Sequence, residues 1–278
     1  MTDDRLAALL APLRAAPDRS AILLDVDGTL APITRHAGAA EVPAATRTLL
    51  VELASRYGLV ACVSGRRASE ARRIVGIGAL HYVGNHGTEI LRRGATEVET
   101  TPAVADWESR VRERATTLLE DHETATRLGV WREDKGPIQA LHWRGVPDEA
   151  AAAEAAAAVG AAAEAEGLAL HEGRMVLELR PPLDFDKGAA VRWLLGGEEL
   201  SGALYAGDDR TDLDAFDGLR ALVAEGRLAH AACVAVRDEG SDAPPEVAEQ
   251  ADVAVDGPVG IRSVLQELLR PTTDGRGA

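Results

Sequence analysis

The stretch Ser20–Thr29, SAILLDVDGT, runs an unbroken apolar segment straight into two carboxylates two residues apart. An apolar run without polar alternation, closed by Asp and Gly, reads as a strand buried on both faces, which belongs in a parallel sheet covered by helices. The pattern recurs in LVACVSG (59–65) and LHYVGNHG (80–87), with helical spacing between in VPAATRTLLVELASRYG and SEARRIVG. Strands alternating with helices imply an α/β sheet.

From Gly87 the pattern changes. TEILRR and TEVET read as a hairpin around Gly94, followed by the helix VADWESRVRERATTLLEDH, the strands RLGVWRE and IQALHWR, an Ala-rich helix and the strand MVLELRP. That is an antiparallel sheet with two helices on one face. After Pro182 the first style returns, through KGAAVRWLLGG, ALYAGDD, LDAFDGLRALVAEG, AACVAV, ADVAV and VGIRSVLQELL. The expected architecture is a Rossmann-like parallel-sheet core, residues 1–86 and 183–270, with an inserted α+β domain over 87–182 and a flexible tail over 271–278.

Ligands of parallel sheets bind beyond the carboxyl ends of the strands, and three strands here end in polar clusters. Asp25 and Asp27, followed by Gly28 and Thr29, put two carboxylates at a strand mouth, an expensive arrangement unless a cation sits between them. A plain Asp-Gly turn is the bland alternative. A calcium-binding EF-hand loop is excluded, since it needs Gly at Leu30 and Glu at His36. Ser64 tips the second strand and Gly65 opens the next helix, which makes either an anion site or an ordinary cap. Asp208, Asp209 and Asp212 in GDDRTD supply further oxygen ligands of the kind Mg²⁺ takes. Between these lies Lys187, at a helix start from which one helix, a turn and a strand lead to Asp208.

With 45 acidic and 30 basic residues the net charge is −15, which argues against nucleic acid or an anionic membrane as partner. An anionic substrate would need a metal or a local positive focus. Only two of the 30 cations are lysines, Lys135 in EDKG and Lys187 in FDKG. A drift to arginine that spares two positions is either chance in a sample of two or a need for a compact ammonium there rather than a planar fork. Cys62 and Cys233 sit in apolar strands and read as reduced core residues. The segment MTDDRLAALLAPLRAAP lacks the apolar core of a signal peptide, and no window reaches the ~18 apolar residues of a membrane span. A cytoplasmic protein, compatible with a monomer, is expected.

DxD, then Ser, Lys and an acidic motif, each at a strand end or helix start, resembles the haloacid dehalogenase superfamily. Within it, LLDVDGTLAPI, SGR, GNHGTEI, EDKGPIQALHWR, LELRPPLDFDKGAAV and YAGDDRTDLDAF look like the trehalose-6-phosphate phosphatases, over roughly residues 20–260. The resemblance implies Asp25 as nucleophile, forming an aspartyl-phosphate, and Asp27 as general acid and then base. It implies Mg²⁺ held by the Asp25 carboxylate, the Asp27 carbonyl and Asp208, with Asp209 and Asp212 in support. Phosphate would be bound by Ser64, Lys187 and the backbone at Gly28 and Gly65.

In the insertion, Glu133 and Lys135, His142 and Arg144, and Glu178 and Arg180 are polar pairs at i and i+2, so each pair shares one sheet face. Spacing alone leaves a solvated face and a binding surface equally open. The resemblance implies a cap whose Glu133, Lys135 and Glu178, with Arg180 and Arg144, bind sugar hydroxyls, and places His86 at the cap hinge near the substrate. Gln139 departs from the family's small or aliphatic residue, and PPLDF lengthens the approach to Lys187. The expected partner is a small sugar phosphate. Alternatives are another sugar phosphate (sucrose 6-phosphate, glucosyl-3-phosphoglycerate or a disaccharide-like phosphate of secondary metabolism), a phosphomutase, or a non-catalytic sugar-phosphate sensor.

Overall fold

The computed structural model describes residues 2–33, 40–100, 102–183, 185–237 and 244–271. Position 36 and residues 272–278 of the expected tail lie outside the described residues. The chain divides into two compact units, Met1–Glu99 with Phe185–Ala278, and Thr100–Asp184.

The first unit contains α1 (Thr2–Ala15), β1 (Ser20–Leu24), α2 (Ala44–Arg56), β2 (Leu59–Val63), α3 (Ala68–Val75), β3 (His81–Gly84), β4 (Glu89–Leu91) and β5 (Glu99–Thr100). Its C-terminal half follows the second unit, and its elements are numbered after those of that unit: α7 (Lys187–Leu195), β10 (Gly202–Gly207), α8 (Thr211–Ala224), β11 (His230–Arg237), α9 (Pro245–Gln250), β12 (Val253–Asp256) and α10 (Gly257–Leu269). The strands form one sheet in the order β12-β11-β10-β1-β2-β3-β4-β5. β1 is central and parallel to both neighbours, with Leu23 opposite Tyr205 on one side and Ala61 on the other. This in-register parallel pairing brings the carboxyl ends of β1, β2 and β10 to one edge.

Both sheet faces are covered, as the apolar strands require. Ile22, Leu24, Val60, Cys62 and Leu204 pack with Leu10, Leu13, Leu50, Leu53 and Val264 on one face. Leu23, Ala61, Val63 and Tyr205 pack with Val191, Leu194, Phe216 and Leu219 on the other. Each fully buried Leu or Val contributes roughly 1.5–3 kcal/mol. Cys62 and Cys233 are buried free thiols. Among the described residues, no helix is long and apolar enough to cross a membrane.

The hairpin expected to open the insertion lies in the core sheet instead, and the second unit begins at Thr100 rather than Gly87. β4 pairs antiparallel with β3, Ile90 facing Val83. The reason is that Ile90 packs on one sheet face and Leu91 on the other, so the strand is satisfied only in a doubly covered sheet.

The second unit contains α4 (Pro102–Asp121), α5 (Glu123–Arg127), β6 (Trp131–Asp134), β7 (Gln139–His142), α6 (Glu149–Ala165), β8 (Ala169–Gly173) and β9 (Val176–Arg180). Its antiparallel sheet has the order β6-β7-β9-β8. Leu141, Leu177 and Leu179 pack against Val111, Ala115, Ala156, Val159 and Ala163 of the helices. The Ala-rich helix is thus a small-residue face fitted to leucines. α5 and β8 were not expected: α5 has only five residues, and β8 is an edge strand ending in the exposed, polar His171–Gly173 segment. That ending weakens its apolar signal.

Candidate active site

Asp25 follows β1, its amide held by the Ala206 carbonyl at 2.9 Å, and Asp208 follows β10. Oxygens of Asp25, Asp208 and Asp212 lie within 4.8 Å of one another, and all three residues are buried. Lys187, at the first position of α7 and 3% exposed, reaches Asp25 Oδ1 at 2.7 Å and Asp212 Oδ1 at 2.6 Å. Burial works against the ammonium, but Asp212 and Asp25 outweigh it and hold the Lys187 pKa above the usual value. Three buried carboxylates against one ammonium would, if all were ionised, leave two uncompensated negative charges. Accordingly, burial raises the Asp25 pKa, with Lys187 opposing and Asp212 and Asp208 reinforcing the shift. Asp208 is pushed up to about 7 by burial and by Asp212, against a 2.9 Å hydrogen bond donated by Thr29 and the charge of Lys187. The charge excess and the oxygen donors suit one divalent cation.

The three carboxylates are not equivalent. Asp212 Oδ1 accepts from Lys187 and from the Tyr205 hydroxyl (2.6 Å), and its Oδ2 accepts from the amides of Asp208 and Asp209, both at 2.9 Å. A carboxylate has about four lone-pair sites, so Asp212 is saturated. It fixes the Asp208–Asp209 turn and steadies Lys187, which leaves Asp25 and Asp208 with capacity for a metal. Asp209 contributes its amide; its side chain is exposed and accepts from the Arg210 amide at 2.6 Å, so it is not brought to the cluster. Gly28, with φ +87°, passes so close to Asp208 that a Cβ would lie 2.0 Å from Oδ2. No other residue fits this turn.

Asp27 is gripped by an arginine that the motif reading passed over. Arg66 donates from Nε to Asp27 Oδ2 at 2.6 Å and from Nη2 to Oδ1 at 2.8 Å, while its Nη1 is tied to Glu70 at 2.7 Å. The signal was present in SGR, but one arginine among so many carries no weight without its partner in view. Ser64 is buried, and its hydroxyl oxygen accepts the Arg66 amide at 3.1 Å. The helix expected to open at Gly65 starts at Ala68, and the Ala68 amide is already taken by Glu89 Oε1 at 2.6 Å. An anion at this edge would therefore meet the Ser64–Arg66 turn, not that helix end. The His86 ring packs over Gly65, and its amide donates to the Ser64 carbonyl at 3.3 Å. Asn85 and His86 both have positive φ, 49° and 55°, which sets the GNHG loop in a strained conformation of the kind found at functional sites.

In the second unit, the register places Trp131 beside His142, and Glu133, Ala140 and Glu178 in one row of the same face. Lys135 lies 3.1 Å from Glu178 and 3.9 Å from Glu133, and Arg180 donates from Nε to Glu178 at 3.0 Å. His142 Nε2 is 2.8 Å from Glu133, and that hydrogen bond, helped by Lys135 and against partial burial, lowers the Glu133 pKa. Arg144 is exposed and donates to the Arg174 carbonyl at 3.1 Å, closing the β8–β9 hairpin. Gln139 faces the other way, bonded to Arg132, to Asp134 at 2.7 Å and to the Gly136 carbonyl at 2.9 Å. Gln139 thus serves the β6–β7 turn and leaves the charged face intact.

The raised carboxylate values carry a pH prediction. Asp208 keeps its proton in the fold up to about 7, against an ordinary 3.8, so the metal-free protein loses stability as pH rises through that window. Mg²⁺ should restore it by roughly RT ln(1 + [L]/Kd), about 2.7 kcal/mol at 100-fold excess over Kd. The rise in Tm on replacing chelator with Mg²⁺ is therefore expected to be larger at pH 8 than at pH 5. An equal or absent rise at both would count against the site.

A model of the family described as trehalose-phosphatase matches residues 23–251. A trehalose-phosphate phosphatase of Mycobacterium marinum is 35% identical over 221 residues, 78% of this chain and 55% of that protein. A probable trehalose-phosphate phosphatase 4 of Oryza sativa subsp. japonica is 33% identical over 207 residues, 72% of this chain and 55% of that protein. The chain spans about half the length of the curated relatives it matches. Among solved structures, the C-terminal domain of a Candida albicans trehalose-6-phosphate phosphatase superposes with TM-score 0.68 at 22% identity, over 94% of this chain and 95% of that one. The C-terminal domain of a Candida albicans trehalose synthase regulatory protein gives 0.61 at 14% identity, over 90% and 93%. These likenesses establish the shared fold. The match over residues 23–251 takes in the chemistry-bearing ends of β1, β2 and β10 together with the whole of the second unit, and by it the chain belongs to the trehalose-phosphatase family.

Proposed function

We propose that this chain is a Mg²⁺-dependent phosphatase that hydrolyses trehalose 6-phosphate to trehalose and phosphate. The observation that carries the reading is the buried Asp25–Asp208–Asp212 cluster around Lys187, which holds two more carboxylates than ammonium groups. In the first step an Asp25 oxygen forms a bond to phosphorus as the bond to the sugar oxygen breaks, and Asp27 gives that oxygen a proton. In the second, water attacks phosphorus, Asp27 takes its proton, and Asp25 departs as a free carboxylate. Acid–base help of this kind is worth roughly 10²–10⁴ in rate. Arg66 acts as a positioning residue, since a two-point grip fixes the direction of the Asp27 carboxylate. Ser64 and Lys187, with the Gly65 amide, hold phosphate oxygens; the Gly28 amide, expected to join them, donates to the Ala31 carbonyl at 2.8 Å instead. Asp25, Asp208 and the Asp27 carbonyl would hold Mg²⁺, which when bound screens the nucleophile's charge from that of the phosphate.

Glu133, Lys135, Glu178 and Arg180 bind sugar hydroxyls in this reading. Hydrogen bonds to charged groups contribute roughly 1.5–3 kcal/mol each, enough to discriminate against sugars that lack the matching hydroxyl. The same fold in a regulatory protein means that fold alone does not argue catalysis; the intact Asp25, Asp27, Lys187 and Asp208 do. A panel of sugar phosphates assayed with Mg²⁺ tests the reading. Trehalose 6-phosphate should rank among the best by kcat/KM, with free phosphate released. A better sucrose 6-phosphate or glucosyl-3-phosphoglycerate would replace the substrate, and isomerised product without phosphate would establish a mutase.

A further inference from the structure

We propose that Trp131, backed by His142, is a stacking platform for a pyranose ring of the substrate, and so a specificity-determining residue of the second unit. The inference rests on the sugar-phosphate reading above and names a residue that its charged motifs do not include.

Trp131 is 52% exposed, and it is the one exposed aromatic among the described residues; the other exposed large hydrophobics are Ile33, Val51, Val98 and Val259. Aromatics are only 3% of this chain, so leaving an indole half in water forgoes a scarce source of burial. The ring is also held in place. It stacks on His142 with centroids 4.5 Å apart and planes 20° from parallel, and His142 is anchored in turn by Glu133 at 2.8 Å. One indole face is thus covered and the ring is kept from turning, which lowers the entropy lost when a ligand covers the rest.

Its neighbours select the ligand. Trp131 and Glu133 are two residues apart on β6 and share a face with Ala140 and His142 of β7 and Glu178 of β9. Ala140 puts only a methyl group between the two carboxylates, and Lys135 bridges them. An apolar ring face beside fixed carboxylates and an ammonium matches a pyranose, which has an apolar C–H face and a rim of hydroxyls. A flat aromatic ligand has no use for the hydroxyl-binding groups, and a simple anion none for the indole.

The test compares Trp131→Ala, Trp131→Phe and the parent protein on trehalose 6-phosphate and on acetyl phosphate, which has no ring to stack. Thermal unfolding of each variant checks the fold. The expected result is that Trp131→Ala raises KM for the sugar phosphate roughly 10-fold with little change in kcat. Its kcat/KM for acetyl phosphate should be unchanged, and Trp131→Phe should recover most of the loss on the sugar phosphate. Unchanged KM for the sugar phosphate in a folded Trp131→Ala overturns the platform and leaves the function standing. So does an equal loss on both substrates. If the parent cleaves acetyl phosphate but not trehalose 6-phosphate, the substrate reading fails instead. The comparison then moves to the best substrate of the panel: a pyranose phosphate sensitive to Trp131→Ala keeps the platform, and any other outcome ends it.

Discussion

Asp25→Asn is expected to lower turnover at least about 10⁴-fold, the scale seen when a covalent nucleophile is removed, while the protein stays folded. The two halves of the expectation have one cause. Asp25 is buried among two further carboxylates, and burial raises its pKa despite Lys187. For an acid raised in the fold, stability is fully present below the unfolded value and is lost as pH climbs through the folded value. The amide carries no charge and escapes that loss, while Lys187 keeps Asp212 at 2.6 Å. In metal-free buffer near neutral pH the variant should therefore melt no lower than the parent. Its Tm should also rise less on adding Mg²⁺. Phosphate release and thermal unfolding measure both; a variant that still turns over normally would remove Asp25 as nucleophile.

Lys187 should be the least replaceable cation in the chain. Lys187→Met leaves Asp25, Asp208 and Asp212 without their only buried ammonium. Breaking one side of a buried pair costs about 3–5 kcal/mol, so a large fall in denaturation midpoint is expected along with lost activity. Lys187→Arg is the sharper experiment because it keeps the charge. The ammonium touches Asp25 and Asp212 at 2.7 and 2.6 Å in a site only 3% exposed. A guanidinium there is larger and tends to pair at two points with one carboxylate. It would pull Asp25 from its attacking position or part the turn that Asp212 holds. A loss of roughly 100-fold or more in kcat, with the fold retained, is expected. Near-normal activity would return the lysine to chance.

The other lysine repeats the arrangement in weaker form. Lys135 also stands between two carboxylates, Glu178 at 3.1 Å and Glu133 at 3.9 Å, in a more open setting. The two bridged sites give the sparing of lysine a common physical basis. The shared spelling DKG does not have one. Gly188 is needed because a Cβ would lie 2.3 Å from the Asp214 carbonyl where α7 meets α8, whereas Gly136, at φ +79°, turns the β6–β7 hairpin.

The legible part of this protein was local. Apolar runs ending in Asp, Ser and Gly identify β1, β2 and β10, and parallel pairing then puts Asp25, Ser64 and Asp208 at one edge without further assumption. Lys187 follows, since a helix and a strand return the chain to that edge. What stayed hidden depends on contacts between residues far apart in sequence. Nothing near Arg66 announces that its fork closes on Asp27, and nothing near Ala68 that Glu89 caps its helix. Glu89–Leu91 reads as a hairpin strand in either unit until Ile90 and Leu91 meet opposite faces of one sheet. Asp212 looks like one more metal ligand until four donors are counted around it.

Sequence alone determined the parallel-sheet core, the inserted antiparallel unit and the residue types at the carboxyl edge of the core sheet, because apolar periodicity and chain direction are properties of short segments. Tertiary structure alone decided which carboxylates are saturated, which arginine holds Asp27, and that a tryptophan stands exposed on the same sheet face as Glu133 and Glu178. Those are matters of which lone pairs and ring faces remain unfilled, and that is known only once distant segments have packed.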